Sequence, residues 1–306
     1  MATHLFTFAL NENWLMTSIA YFILRIIVGL FSLLPMSWLH VLSNFISFLL
    51  QHIFRYRKSV VQTNLKNAFP NKSGSELKSI EKVFYKNLSD IILEGIKGLT
   101  LSRPELEKRF QYLNIDLVNE EFEKGKSVII IASHIANWEW GVLSFDFWTK
   151  GQVVGIYKPL KNQLIDNYYN DQRKQWGLQL TSMAQTGRSI IERKNESTVF
   201  VFIADQTPSD VHNAQWFNFL NQDTPFLHGV DKIARKTNYP VFNTDIQRVG
   251  RGQYEVTFEK LSDEPRDLKP GALTERYAKA LEKIIQQRPG NWLWSHKRWK
   301  RKRPKK

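Results

Sequence analysis

The sequence contains no cysteine among its 306 residues. Disulfide bonds, cysteine-ligated zinc or iron–sulfur sites and catalysis through an acyl-cysteine are therefore excluded. Acidic residues are also few, since 29 Asp and Glu stand against 43 Lys and Arg, for a formal net charge of +14. Eight of the last ten residues are basic, and without those eight the net charge is +6. The basic end favours a polyanionic partner, either nucleic acid or the anionic surface of a membrane.

The first third of the chain carries a long apolar run. Residues 14–34 are apolar apart from small hydroxyl side chains and Arg25, and as a helix they would extend about 30 Å, enough to cross a bilayer. The alternative is the core helix of a soluble protein. The run has no basic start and no small-residue cleavage site, which argues against a removable signal peptide. A second apolar stretch at 36–54 ends in a basic and aromatic cluster, so residues 1–58 are predicted to form a membrane anchor and an interfacial helix.

The central part alternates short β-branched runs with helical patterns, which predicts a mixed, mostly parallel α/β sheet flanked by helices. We assign residues 59–296 to this domain and 297–306 to a basic tail. A helix is expected after a cap at Ser73 or Ser75, and another at Ala272–Gln287. The predicted strands lie at 127–133, 152–158, 178–183, 198–204, 239–246 and 254–261.

One strand runs directly into a histidine. His134 follows the run at 127–133, and Glu139 comes five residues later. A five-residue step turns about 500° on a helix, so the two side chains would not share a helical face. They can meet if His134 lies on the turn and a helix begins near Asn137 as its N-cap. Acyl transfer to an alcohol needs a base near neutral pKa, such as a histidine whose other ring nitrogen is held by a carboxylate. The spacing alone also fits an ordinary hydrogen-bonded pair.

The blocks around this pair resemble those of the lipid A biosynthesis late acyltransferases, within the lysophospholipid acyltransferase superfamily. The superfamily signature is His, four residues, then Asp or Glu, and His134 and Glu139 fill it. The resemblance covers nearly the whole chain and implies that His134 is the catalytic base and Glu139 its partner. The further blocks follow in the family's order: YKP at 157–159, GRSI at 187–190, ADQ at 204–206, TPFLHGVDKIARKTNYPV at 224–241 and PGNWLWSHKRWKRKRP at 289–304.

Four residues in these blocks are candidates for substrate binding. Lys158, Arg173 and Arg188 have the chemistry to bind the phosphates of a lipid or of phosphopantetheine, or to stabilise the oxyanion of the tetrahedral intermediate. Solvated surface charge is the alternative for each of them. Asp205, at the end of a strand, either organises the site through hydrogen bonds or forms a turn before Gln-Thr-Pro. No cofactor and no metal site is expected.

The resemblance also implies partners and a location. The donor would be acyl carrier protein, the acceptor a lipid A precursor, and the enzyme would lie on the cytoplasmic face of the bacterial inner membrane through a single N-terminal anchor. An acidic carrier suits the basic charge balance. We further expect Trp292, Leu293 and Trp294, with the basic residues after them, to contact an anionic leaflet.

Other functions stay open at this stage. The third block reads ADQTPSD and the second reads YKP, which departs from the forms we associate with enterobacterial enzymes. Another lyso-lipid, such as a lysophospholipid or an aminoacyl lipid, is therefore the alternative acceptor. A basic nucleic-acid-binding protein is a further alternative, but the chain has no helix-turn-helix, RNA-recognition or zinc pattern, so no nucleic-acid partner is expected. The intact pair of His134 and Glu139 argues against a non-catalytic scaffold.

Overall fold

The computed structural model describes the backbone of residues 2–304 and the side chains from Met16 to Pro304. Its α-helices are, in chain order, α1 (Ala2–Leu33), α2 (Met36–Phe48), α3 (Lys58–Ala68), α4 (Gly74–Gly98), α5 (Arg103–Arg109), α6 (Asp116–Glu123), α7 (Trp138–Ser144), α8 (Gln163–Lys174), α9 (Thr186–Glu192), α10 (Gly229–Thr237) and α11 (Ala272–Gln287). Its strands are β1 (Phe110–Tyr112), β2 (Val128–Ala132), β3 (Gln152–Tyr157), β4 (Gln179–Ser182), β5 (Thr198–Ile203), β6 (Gln215–Phe219), β7 (Gln222–Phe226), β8 (Val241–Gly250) and β9 (Gln253–Ser262).

Seven strands form one sheet in the order β1-β9-β8-β2-β5-β3-β4. Only the β8–β9 pair in this sheet is antiparallel. The first four residues of β2, Val128 to Ile131, are each at most 2% exposed, so this central strand is covered on both faces, as a parallel strand between two helical layers should be. The predicted α/β class with a mixed, mostly parallel sheet is confirmed.

Five of the predicted strands lie within one residue of their expected bounds, while β8 begins two residues later and ends four residues later than expected. The helix after Ser73 begins with a capping box to Glu76. The sequence missed β1 and the antiparallel β6–β7 hairpin. The turn of that hairpin, Leu220-Asn221, has positive φ at both residues, 51° and 61°. Turns of this kind usually contain Asn-Gly, and leucine rarely adopts a positive φ. The sequence Leu-Asn therefore gave no signal of a turn.

The N-terminal helices carry their apolar side chains on the outside. Within the described side chains, Met16–Leu33 is the one segment long and apolar enough to cross a membrane, by length and composition. This segment is also fixed to the α/β domain. Lys97 Nζ of α4 donates to the carbonyl of Ser32 at 2.6 Å, and the Arg25 guanidinium lies 4.9 Å from the ring centre of Tyr168 on α8.

The C-terminal segment does not have the exposure expected for a membrane contact. Trp292 is 2% exposed and Trp294 is fully buried, so the expectation that both indoles meet a leaflet is wrong. Arg298, in the segment assigned to the basic tail, is also buried and donates to the carbonyl of Pro225 at 2.7 Å. Both indole N–H groups find acceptors inside the fold, Asp205 for Trp292 and the carbonyl of Pro289 for Trp294. The last two residues of the tail, 305–306, lie outside the described residues.

Candidate active site

Strand register brings His134 and Asp205 together. β2 and β5 are neighbours and parallel, and Ala132 of β2 pairs with Ile203 of β5. His134 and Asp205 each lie two residues beyond these paired positions. Because parallel strands end at the same edge of a sheet, the two side chains meet at the carboxyl edge, where α/β folds place ligands.

Asp205 holds one side of the imidazole ring. His134 Nδ1 lies 2.6 Å from Asp205 Oδ1, and the His134 backbone N–H donates to Asp205 Oδ2 at 3.0 Å. The indole Nε1 of Trp292 donates to the same Oδ2 at 2.9 Å. This arrangement places the ring proton on Nδ1 and leaves Nε2 as an acceptor. In the free structure the amide Nε2 of Gln206 lies 3.2 Å from that nitrogen.

The two groups shift each other's pKa. Burial alone would lower the pKa of His134, but the charge and hydrogen bond of Asp205, assisted by Glu139, raise it above its usual value of 6.5. Burial alone would raise the pKa of Asp205, yet His134 and Trp292 lower it to about 2. Asp205 is therefore ionised across the physiological range, and the imidazole is a stronger base than a free histidine.

The turn after β2 is shaped as the sequence predicted. Asn137 caps α7 by accepting the backbone N–H of Trp140 at 3.0 Å, so the helix begins where expected. Ala136 has a φ of 48°, a left-handed conformation that costs about 1–2 kcal/mol for a residue with a Cβ. Its N–H donates to the carbonyl of Asn291 at 2.9 Å. The C-terminal segment thus stabilises a strained turn next to the base, as is common at functional sites.

Glu139 is not the carboxylate on the imidazole ring. Its Oε2 accepts from Arg173 Nη2 at 2.8 Å, and its Oε1 accepts from Trp138 Nε1 at 3.2 Å. The helix turns Glu139 toward α8, whereas Nδ1 of His134 is already held by Asp205. Glu139 acts on His134 through its charge, which contributes to the raised pKa of that imidazole.

A large cavity opens at this edge of the sheet. Its volume is about 1230 Å³, above the roughly 300–1000 Å³ of most ligand pockets. Side chains of α4, of α7 and of all seven strands of the large sheet line it, and most of its interior is apolar. His134 and Glu139 lie on its wall together with other polar and charged residues. The cavity therefore offers both charged groups and an apolar interior to a ligand. The polar lining also includes Lys158, Lys161, Arg173, Gln206, Thr207 and His296.

The structure divides the four predicted substrate-binding residues. Lys158 and Arg173 line the cavity. Arg188 does not, since its side chain is 80% exposed and pairs with Glu192 on the same helix. Asp205 is buried against the imidazole, so its contact is with the base rather than with a substrate.

Sequence reasoning missed a second imidazole. The backbone N–H of Thr207 donates to His296 Nε2 at 3.2 Å, and burial lowers the pKa of His296 to about 4. The neutral ring therefore carries its proton on Nδ1, the same tautomer as that of His134. The segment 205–207 contacts both imidazoles, because Asp205 and Gln206 bind His134 and Thr207 binds His296. Only the ADQ block marked this segment in the sequence.

Comparison with known proteins decides the family. The family model described as bacterial lipid A biosynthesis acyltransferase matches residues 9–301. The chain belongs to this family. No curated protein matches it. Acyl transfer is thus the reaction class, and the match includes both the N-terminal helix and the C-terminal segment that holds Asp205. The family is bacterial and membrane-associated, which agrees with the apolar span at Met16–Leu33.

Proposed function

We propose that this lipid A acyltransferase family member transfers a fatty acyl chain from acyl carrier protein to a hydroxyl of a lipid A precursor, at the cytoplasmic face of the inner membrane. One observation carries the proposal. An imidazole with a buried carboxylate on Nδ1 lies on the wall of a cavity whose interior is mostly apolar and whose charged lining has more cations than carboxylates. The interior suits an acyl chain, and the cations suit phosphate groups on donor or acceptor.

In the proposed reaction, side chains of the protein carry out the proton transfers between the two substrates. The acceptor hydroxyl displaces the Gln206 amide from His134 Nε2 and gives up its proton there. Its oxygen then bonds to the thioester carbonyl carbon, and the carbonyl oxygen becomes an oxyanion. When the carbon–sulfur bond breaks, the imidazolium returns the proton to the leaving sulfur, so the products are an ester and a thiol. Asp205 stabilises the imidazolium meanwhile, since its pKa near 2 keeps it ionised.

The cationic lining has a separate proposed role. Arg173 is held by Glu139 at 2.8 Å, beside the base, and Lys158 lines the same cavity. Either cation would bind a phosphate or the oxyanion, and both interactions are strong in a partly buried site. The basic C-terminal residues would meet anionic lipid or the acidic carrier.

Lipid analysis tests the proposal directly. Lipids, with lipid A extracted separately, would be measured by mass spectrometry in cells lacking the protein and in cells carrying His134→Ala or His212→Ala. His212 is exposed and lies outside the cavity lining, so His212→Ala is the matched control. We expect the first two strains to make lipid A short of one acyl chain and the control strain to make it normally. Unchanged lipid A with an accumulating lyso-lipid would show that the acceptor is wrong while acyl transfer stands.

The donor needs its own measurement. Purified enzyme would be given the same acyl chain on acyl carrier protein or on coenzyme A, with the lipid acceptor in mixed micelles. Faster transfer from the carrier at low salt, with a rate that falls as salt rises, is the expected result because the carrier is acidic and the protein basic. Equal rates from both donors at all salt concentrations would contradict the carrier as the specific donor.

A further inference from the structure

A buried carboxylate lies behind the catalytic turn and belongs to none of the groups described so far. Glu94 of α4 is fully buried. Its Oε1 lies 2.9 Å from His40 Nε2, and its Oε2 accepts from Asn137 Nδ2 at 2.9 Å and from Tyr254 OH at 2.5 Å. A buried carboxylate is costly unless it is hydrogen-bonded, and here both oxygens are used. Such a group needs an explanation beyond packing, since an apolar side chain would fill the space at lower cost.

Asn137 connects Glu94 to the site. The side-chain oxygen of Asn137 caps α7 through the Trp140 N–H, and its amide nitrogen donates to Glu94. Asn137 is itself fully buried, so its orientation is determined by these two bonds. The main-chain carbonyl of Glu94 also accepts the indole N–H of Trp140 at 2.8 Å. Glu94 therefore fixes both the cap and the first turn of the helix that carries Glu139.

The hydrogen bonds of Glu94 also reach α2, through His40. His40 is on the inner face of this helix, which directly follows the candidate membrane span. The outer face of α2 is apolar and exposed, with Trp38, Val41, Phe45 and Phe48 each more than half exposed. Three side chains, His40, Glu94 and Asn137, thus join an outward-facing helix to the catalytic turn.

We propose that Glu94 is a positioning residue for acyl transfer. It holds Asn137, and through it the turn between His134 and Glu139, in the geometry that catalysis needs, and His40 of α2 orients the Glu94 carboxylate. The proposal rests on the proposed function, because it assigns Glu94 a role in that reaction. Small displacements of catalytic groups are costly, since an error of about 1 Å can slow a reaction roughly 100-fold.

The same helix supplies a matched control. Asp90 lies one turn before Glu94, is also fully buried, and also binds α2, through Ser43 Oγ at 2.5 Å. Its other partners are Arg248 and Arg251, and it makes no direct hydrogen bond to residues 134–139. Asp90→Asn and Glu94→Gln therefore make the same acid-to-amide change at the α2–α4 contact, and only the second weakens a bond to Asn137.

The test compares kinetics and hydrogen exchange. Glu94→Gln replaces the charge-assisted bond from Asn137 Nδ2 by at best a neutral one, so that bond is weakened. We expect a fall of roughly 10- to 100-fold in kcat, with KM within about twofold of the original. We also expect faster deuterium uptake in the peptide 134–144, measured by mass spectrometry on the membrane-reconstituted full chain. Asp90→Asn should leave that peptide's uptake unchanged and lower kcat much less.

A second variant guards against a folding defect in Glu94→Gln. Asn137→Ser keeps a capping oxygen but cannot reach Glu94, so it should give at least the same loss of kcat and at least the same increase in exchange, with little change in thermal stability. Equal effects of Glu94→Gln and Asp90→Asn on the exchange of peptide 134–144, or unchanged exchange in Asn137→Ser, would overturn the proposal. If the exchange changes as expected while no variant and no original protein transfers acyl groups, the positioning stands and the proposed reaction fails.

Discussion

The two carboxylates near His134 lie in contrasting regions. Asp205, on the side formed by β5 and the C-terminal segment, is 2% exposed and accepts from the imidazole, a backbone N–H and an indole N–H. Glu139, on the side formed by α7 and α8, is 33% exposed at its side chain and pairs with Arg173 on the cavity wall. The buried side orients the base, and the open side presents charge to whatever enters. Proximity in sequence therefore did not identify the partner of the histidine.

The largest expected effect comes from the buried side. Asp205→Asn keeps the shape of the side chain but removes the charge that stabilises the imidazolium, so kcat should fall by roughly 10³–10⁴-fold. Activity needs neutral His134 and rises with pH through its pKa. Because Asp205 raises that pKa, its loss should move the acid limb of the pH–rate profile to lower pH. Steady-state kinetics between pH 5 and pH 9 measure both effects.

Two variants complete this comparison. Asp210 is an exposed aspartate on the same loop and does not line the cavity. Asp210→Asn should therefore leave kcat unchanged. Glu139→Gln should lower kcat less than Asp205→Asn does, since Glu139 makes no hydrogen bond to the imidazole. If Glu139→Gln is the more damaging of the two, the partner predicted from the His-x4-Glu spacing is correct and Asp205 is structural.

The sequence predicted the sheet and half of the site for clear reasons. Apolar strands and the helix capped by Asn137 are local signals, so the position of His134 at the end of β2 could be read from them. The contact between His134 and Asp205 spans 71 residues and depends on β2 and β5 being neighbours. That order follows from packing across the whole domain, and no single-sequence pattern encodes it.

Composition alone also misplaced the C-terminal aromatics. Tryptophan next to basic residues fits a membrane interface as well as a core whose indole N–H has a partner. Trp292 finds that partner in Asp205, which the sequence could not reveal before the β2–β5 pairing was known. Arg188 presents the same difficulty, because an arginine on a short helix gives no sign of whether it faces a cavity or solvent.

The open side should affect substrate binding more than turnover. Arg173→Gln removes a cation from the cavity wall, and we expect kcat/KM to fall roughly 30-fold, mostly through KM, if the cation binds a substrate phosphate. Arg188→Gln makes the same change on an exposed helix, where the arginine pairs only with Glu192, and should change KM by less than about twofold. A matched fall in kcat with unchanged KM would instead place Arg173 at the oxyanion.

The smallest effect tests how firmly the buried side must hold Asp205. Trp292→Phe keeps a ring in the core but removes the N–H that binds Asp205 Oδ2, so we expect kcat to fall roughly fivefold. Without that donor the carboxylate is more basic, which raises the pKa of His134 further. The acid limb should therefore move to higher pH, the opposite direction to Asp205→Asn.

Trp299→Phe is the control for that change. Trp299 lies in the same C-terminal segment, and its indole N–H donates to Thr224 Oγ1 of β7 at 2.7 Å. Trp299→Phe therefore loses a comparable hydrogen bond, but not one to Asp205. Thermal unfolding should show similar losses of stability for both variants, with the pH–rate profile displaced only in Trp292→Phe. Equal displacement in both, or none in either, would mean that Trp292 supports the fold and that the imidazole and the backbone N–H of His134 suffice to hold Asp205.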